Sequence, residues 1–184
     1  MPLASALRQG EKTFKMRRPT MIDRDLTSVE ILGIGARSEE DSYKLYRKLA
    51  QRVKNKIVKE KLLSLAREEK LHKEILLKKY HELTGERFPP IPPKGRERKE
   101  AINTEKISIK ELIQIAIIKE REAYKLYSLG ASKAKDLSGK YMLEYLATFE
   151  KTHEKILKAE LDILEKFPKW FEDEDGFRFI HVGP

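Results

Sequence analysis

The chain contains no cysteine, and this absence removes several classes of chemistry at once. Without cysteine there is no disulfide bond, no Cys-ligated zinc, no iron–sulfur cluster and no thiol nucleophile. Long apolar runs are missing too, since no stretch approaches the roughly 18 residues that a membrane-spanning helix needs. The N-terminus has no apolar segment of the secretory type, so we expect a cytoplasmic location and no membrane partner.

Asparagine and glutamine are scarce, five together, whereas Lys and Arg number 39 and Asp and Glu number 30. A Lys- and Glu-rich, amide-poor composition is typical of hyperthermophile proteins, so the net charge of +9 has a source other than function. Hydrophobic residues make up 40 %, too many for a disordered polyelectrolyte, and 184 residues suit one domain. Scattered lysines on Glu-rich helices do not form a basic groove, so nucleic-acid binding is not favoured.

An internal repeat organises the chain. The tetrapeptide Tyr-Lys-Leu-Tyr occurs at 43–46 and again, 81 residues later, at 124–127. At that offset residues 26–80 align without a gap with 107–161, and 18 of the 55 positions are identical. Apolar residues recur three and four apart in both halves, as on the buried face of an amphipathic helix. We interpret the repeat as an ancient duplication of a helical hairpin.

Local signals place the ends of these helices. Both halves open on a capping box, at 27–30 and at 108–111, in which a hydroxyl and a later Glu satisfy free backbone amides. Polar stretches near residues 54 and 135 predict the two hairpin turns, and Gly85 predicts a helix stop. The predicted fold is therefore all-α, a four-helix bundle made of two duplicated hairpins.

A proline-rich segment lies between the two halves of the repeat, and its prolines are incompatible with a helix in this segment. An extended chain of this length could run along a whole bundle, so the third helix could begin at either end. A flexible linker between two domains is the alternative, but a lone hairpin cannot bury its apolar stripe. The predicted organisation is a basic N-terminal arm (1–26), a bundle (27–166) formed by a hairpin (27–85), a crossover (86–107) and a hairpin (108–166), and an aromatic and acidic tail (167–184) that packs on the bundle or on a second subunit.

Six charged or titratable residues fall on the stripes that ought to be apolar. Burying an isolated carboxylate costs several kcal/mol, and no Lys or Arg lies on the stripes nearby to pair with these. One or two divalent cations would resolve the conflict. The six candidate metal ligands are Glu39, Glu69, His72, Glu120, Glu150 and His153.

The spacing of these residues supports one shared site. Glu39 and Glu69 are 30 residues apart, as are Glu120 and Glu150, and each lies about 15 residues from its hairpin turn. The glutamates should therefore lie level in antiparallel helices. In each Glu-x-x-His pair the two side chains share one helix face. Four carboxylates carry the charge that two divalent ions would neutralise.

This constellation resembles the ferritin-like di-iron carboxylate superfamily, and within it the rubrerythrin-like proteins. The resemblance covers about residues 26–165, and its matching stretches are 39–46, 65–72, 120–127 and 146–153. It implies two iron ions, for which manganese or zinc could substitute, bridged by Glu69 and Glu150. The remaining ligands that it implies are Glu39 and Glu120, with His72 and His153 each completing one metal.

Two departures from the rubrerythrin pattern shape the expected function. The Cys-ligated rubredoxin module is absent, and Ala123 stands where many members carry an additional ligand Glu. The resemblance implies a non-haem di-iron oxidoreductase that acts on peroxide or dioxygen, reducing peroxide or oxidising Fe(II). Its electrons would come from an external donor, for which an acidic redox protein is a candidate, and we expect a homodimer. The alternative is ferritin-like iron storage, which needs a hollow multi-subunit shell.

Residues beside the ligands admit more than one role. Tyr46 and Tyr127 lie seven residues past the glutamates of their helices, on the same face. They would either hydrogen-bond a ligand carboxylate, act as redox-active phenols, or serve simply as core aromatics, which is the favoured interpretation. Glu68 and Glu154 are predicted to point off the stripes into solvent, and His81 is predicted to be a surface residue near the end of the second helix.

Overall fold

The computed structural model describes residues 26–89 and 106–174. The basic N-terminal arm, the middle of the crossover and the end of the tail lie outside these residues. Within the described ranges the chain is helical, with no strand, which confirms the all-α prediction. The elements are α1 (Ser28–Arg52), α2 (Lys56–Thr84), α3 (Ile109–Lys133), α4 (Leu137–Lys166) and a short 3-10 helix (Pro168–Phe171).

The helix ends follow the local signals. Thr27 and Ser108 are the N-caps of α1 and α3, and in both capping boxes the Glu three residues later accepts from the cap amide at 2.8 Å. Gly85 ends α2 with φ of 75°, in the left-handed region where glycine has no Cβ to clash. The predicted starts, turns and stop are all confirmed.

The two hairpins pack head to tail. The Lys133 ammonium at the end of α3 donates to the Leu26 carbonyl, 2.9 Å away, beside the start of α1. At the other end of the bundle Arg52 donates to the Ile107 carbonyl at 2.5 Å. α3 therefore begins at the end of the bundle where α1 ends, which is opposite to the end where α2 stops.

Two apolar clusters fill the ends of the bundle and leave a polar layer between them. One cluster is built around Leu49, Val58 and Leu157, and the other around Ile31, Leu76 and Leu143. The first is closed by the tail: Phe171 is only 2 % exposed. The Phe171 carbonyl accepts the backbone amide of Lys54 in the α1–α2 turn at 3.0 Å. The described part of the tail thus packs on the bundle, as predicted.

The side of the bundle between α2 and α4 is the most open. α1 packs closely on α2 and on α3, and α3 packs on α4, whereas α2 and α4 approach each other at few points. Lys61 reaches Glu160 at 2.5 Å and Lys79 reaches Asp136 at 3.0 Å, so ion pairs link these helices near both ends. None of the described helices is both long and apolar enough to cross a membrane.

Candidate metal centre

The polar layer contains all six predicted ligands, and each is at most 2 % exposed. Their positions follow from the repeat, because equal 30-residue spacings across equal turns bring the glutamates of each hairpin level. The inward faces of all four helices contribute: Glu39 from α1, Glu69 and His72 from α2, Glu120 from α3, and Glu150 and His153 from α4.

The six residues form two overlapping groups of four. In each group one ligand atom per residue lies within 4.8 Å of all the others. Glu69 and Glu150 belong to both groups, so their carboxylates would be available to both of two bound cations. The groups are Glu39, Glu69, His72 and Glu150 on one side, and Glu69, Glu120, Glu150 and His153 on the other.

Both histidines direct Nδ1 into the layer. His72 Nδ1 lies 3.5 Å from Glu69 and 3.4 Å from Glu150. His153 Nδ1 lies 3.0 Å from Glu69 and 3.5 Å from Glu120. The rings are nearly parallel, at 17°, with centroids 5.7 Å apart. Each imidazole thus offers the same nitrogen to its own side of the cluster.

Several polar atoms of the cluster have no hydrogen-bond partner although they are fully buried. A buried polar atom without a partner costs about 1–3 kcal/mol. Cations would satisfy these atoms, and carboxylate oxygen with imidazole nitrogen is a donor set suited to iron, manganese or zinc. The residues therefore fit a dinuclear metal centre. The orphaned atoms are Glu69 Oε2, His72 Nδ1, Glu120 Oε2 and Glu150 Oε1.

Crowding shifts the pKa values inside the cluster. Burial, reinforced by neighbouring carboxylates, raises the pKa values of Glu39 and Glu150 well above the ordinary value. Burial also acts to raise the pKa of Glu69, but hydrogen bonds with Glu39 and His153 outweigh it and lower that pKa. Burial acts to lower the pKa of His153, yet contacts with Glu120 and Glu69 raise it to about 10. The metal-free cluster thus balances its charge with protons, which bound cations would displace.

The two tyrosines are both core aromatics and hydrogen-bond donors to candidate ligands. Tyr46 and Tyr127 are fully buried. The Tyr46 hydroxyl donates to Oε1 of Glu120, and the Tyr127 hydroxyl donates to Oε1 of Glu39. Burial, with the nearby Glu120 charge, raises the pKa of Tyr46 and keeps it a donor. The prediction that the two tyrosines are simply core aromatics was therefore incomplete, because each phenol also hydrogen-bonds a carboxylate of the other hairpin.

The prediction for the flanking glutamates needs correction. Glu154 is 3 % exposed rather than solvated, because it lies against Arg121 with Lys151 and Lys158 beside it. These cations outweigh the effect of burial and lower the pKa of Glu154 to about 2. The repeat contains a signal that could have predicted this ion pair. At the 81-residue offset a Lys occupies the position equivalent to Glu154 and a Glu the position equivalent to Arg121, so the two positions carry opposite charges in both hairpins.

Glu68 is half-exposed, yet it also contacts the site. Its Oε2 lies 3.1 Å from His153 Nε2, on the side of the ring away from the carboxylate cluster. Solvation alone was therefore an incomplete prediction for Glu68. His81 is exposed near the end of α2, as predicted, and Ala123 is buried with no carboxylate to offer.

Known proteins share both the sequence pattern and the fold of this chain. The rubrerythrin family model matches residues 30–161. A hypothetical protein from Pyrococcus furiosus superimposes with a TM-score of 0.64 at 30 % identity, covering 78 % of this chain and 93 % of that one. A bacterioferritin-related protein from Bacteroides fragilis, described as a dodecameric thioferritin, superimposes with a TM-score of 0.60, covering 79 % of this chain and 90 % of that one.

At 19 % identity the Bacteroides protein supports a likeness of fold alone. Among the curated proteins none matches this chain. The family model spans well over half of the sequence, including both Glu-x-x-His motifs and both partner glutamates. The chain therefore belongs to the rubrerythrin family.

Proposed function

We propose that this protein is a dinuclear non-haem iron oxidoreductase that reduces peroxide or oxidises Fe(II) with electrons from an external donor. The observation that carries the proposal is the pair of overlapping ligand groups with their orphaned buried atoms. Two iron ions in these positions would supply the two electrons that cleavage of a peroxide O–O bond requires. The ligands in this proposal are Glu39, Glu69, His72, Glu120, Glu150 and His153.

The residues around the cluster have distinct roles in this proposal. Glu69 and Glu150 would hold both cations, since each carboxylate belongs to both groups. Tyr46 and Tyr127 hold the outer carboxylates in place through their hydroxyl groups. The apolar clusters above and below the layer exclude bulk water from it, which strengthens every electrostatic contact inside.

The composition supports an external electron donor. The chain has no cysteine and hence no thiolate-ligated iron of its own to deliver electrons. Two divalent ions would add four positive charges to a formal net charge of +9. A surface of that sign favours an acidic redox protein as the donor.

The experiment that tests the proposal is an anaerobic Fe(II) titration followed by addition of peroxide with and without a reductant. We expect about two iron ions per chain and continuous consumption of peroxide when the reductant is present. Glu69→Ala should abolish both, whereas Glu74→Ala, which removes an exposed carboxylate of the same helix, should change neither. Iron-loaded protein that consumes neither peroxide nor Fe(II) would contradict the redox function.

Iron storage is the second candidate, and the dodecameric assembly of the Bacteroides relative is what favours it. Storage requires a closed shell, whereas the redox function is compatible with the homodimer that we expect. The mass of the iron-loaded protein in solution discriminates between them. A dimer argues against storage, and a dodecamer or larger shell that retains many irons per chain argues for it.

A further inference from the structure

The duplication makes the two halves of the metal centre nearly equivalent, but the groups behind the two histidines differ. Glu68 contacts Nε2 of His153. By the 81-residue offset, the residue equivalent to Glu68 is at position 149, next to His72. That position holds phenylalanine. The ring of Phe149 meets the ring of His72 edge to face, with centroids 5.2 Å apart and planes at 75°.

The difference extends one helical turn further from the site. Ser64 donates its hydroxyl to the second oxygen of Glu68 at 3.3 Å, so the carboxylate behind His153 is itself held in place. The counterpart of Ser64 is Tyr145, whose ring packs on Phe149 with centroids 4.7 Å apart. A carboxylate therefore contacts Nε2 of His153, whereas the aromatic ring of Phe149 lies closer to His72, with centroids 5.2 Å apart, than to His153, at 6.3 Å.

We propose that Glu68 is a positioning residue for His153 and that it makes the two metal positions unequal, the His153 position binding a divalent cation more tightly than the His72 position. This inference rests on the proposed function, in which both histidines are ligands. A carboxylate that accepts from Nε2–H fixes the tautomer with Nδ1 free, directs Nδ1 at the cation and increases its basicity. Phe149 provides packing for His72 but no acceptor.

The consequence is ordered loading. The group that contains His153 fills first, and the group that contains His72 fills second and releases its cation more readily. Glu69 and Glu150 belong to both groups, so the difference arises from the residues that the groups do not share and from the side chains that contact those residues.

Calorimetric titration of the metal-free chain with Zn(II), which is redox-inert, tests the inference without reference to turnover. We expect two binding steps in the wild type. His153→Ala should remove the tighter step and His72→Ala the weaker one, which assigns each step to its histidine. Glu68→Ala should weaken the tighter step by about 10–100-fold and leave the weaker step unchanged.

Two further variants separate positioning from a general structural effect. Glu68→Gln retains an acceptor oxygen and should recover part of the affinity lost in Glu68→Ala. Phe149→Glu gives His72 the missing carboxylate and should tighten the weaker step, so that the two affinities converge. Glu74→Ala is the matched control for loss of a negative charge on α2 and should leave both steps unchanged.

The outcomes distinguish this inference from the proposed function. If the wild type binds no metal, both are overturned. If it binds two ions but Glu68→Ala weakens both steps equally, or neither, the inference alone is overturned. Circular dichroism of each variant verifies that the helices are retained, and Phe149→Glu, which adds a group, supplies an independent result if Glu68→Ala fails to fold.

Discussion

Arg121 lies with Nε 2.5 Å from Oε1 of Glu154, and this ion pair is the charge-reversed counterpart of one in the other hairpin. There Glu40 accepts from Lys73 at 2.8 Å. By the 81-residue offset the acidic and basic positions have exchanged helices. A mixed pairing of α1 with α4 would oppose two glutamates, and α2 with α3 would oppose two cations. The reversal therefore favours the observed pairing over the mixed pairing that a duplicated sequence permits.

Reversing one charge of the ion pair in the first hairpin should destabilise the protein. Lys73→Glu places a second carboxylate beside Glu40 and should lower the free energy of unfolding by roughly 1 kcal/mol, since both groups are about one-third exposed. Glu40→Arg combined with Lys73→Glu copies the second hairpin and should recover most of the loss. Chemical denaturation of the metal-free proteins measures both changes. A double variant no more stable than Lys73→Glu would argue against the pairing role.

The phenol groups should contribute to metal affinity and not only to packing. Tyr127→Phe keeps the ring but removes the donor to Glu39, and it should weaken Zn(II) binding by about 10–100-fold. Tyr46→Phe should do the same through Glu120. Tyr43→Phe is the control, because its hydroxyl lies at the surface near Arg47 and not at the site. If neither site variant changed the affinity for Zn(II), the two tyrosines would have a packing role alone.

Gly35 leaves the space that the Tyr127 ring occupies. A Cβ at this position would lie 2.7 Å from Cε1 of Tyr127 and 3.2 Å from Cδ1 of Leu76. Alanine improves helix propensity by about 1 kcal/mol, but overpacking a buried ring costs about 1–3 kcal/mol. Gly35→Ala should therefore lower the melting temperature.

Gly35→Ala should have the opposite effect on the melting temperature once the Tyr127 ring is removed. In a Tyr127→Leu background the propensity gain remains and the closest clash is gone, so Gly35→Ala should raise the melting temperature of that variant. Additive effects of the two substitutions would show that the glycine does not serve the tyrosine.

Asp136 should make stability depend on pH at the acidic end. Its Oδ1 caps α4 by accepting from the Gly139 amide at 2.7 Å, and Lys79 lies 3.0 Å away. The hydrogen bond from Gly139, followed by Lys79, lowers the pKa of Asp136. A carboxylate with a depressed pKa in the folded state stabilises above its ordinary pKa and loses that contribution as the pH falls below it.

Asp136→Asn is the matched variant, because asparagine also caps helices but carries no charge. The wild type should melt at a higher temperature than Asp136→Asn near neutral pH, and the difference should shrink as the pH falls through the aspartate range. Thermal melts over that range measure it. A difference that stays constant from neutral to acidic pH would contradict the role of the charge.

Most of the secondary structure and the composition of the site could be predicted from particular residues. The capping residues Thr27 and Ser108 and the stop at Gly85 act on their own backbone, so their effect is local and readable. The candidate ligands could be identified because helical periodicity is also local, and a charged residue on an apolar stripe departs from the pattern. The repeat then supplied the register, since equal spacings bring two glutamates level in each hairpin.

What could not be predicted depends on contacts between helices. The burial of Glu154 needs Arg121 on α3, and the role of Glu68 needs His153 on α4. Both are fixed by how far each helix is rotated about its axis, and that rotation is set by packing of all four helices rather than by either sequence segment.

The sequence by itself determined four helices, two of which open on capping boxes, their pairing into two hairpins and the level position of the two glutamates of each hairpin. All of these follow from periodicity, caps and turns within one hairpin. Only the tertiary structure decided that α3 runs opposite to α1 and that each tyrosine reaches the glutamate of the other hairpin. It also decided that a carboxylate contacts Nε2 of His153, while a phenyl ring packs most closely on His72. The contacts of the tyrosines and histidines join residues more than 70 positions apart, and nothing in the local chain constrains them until the apolar faces of the two hairpins pack together.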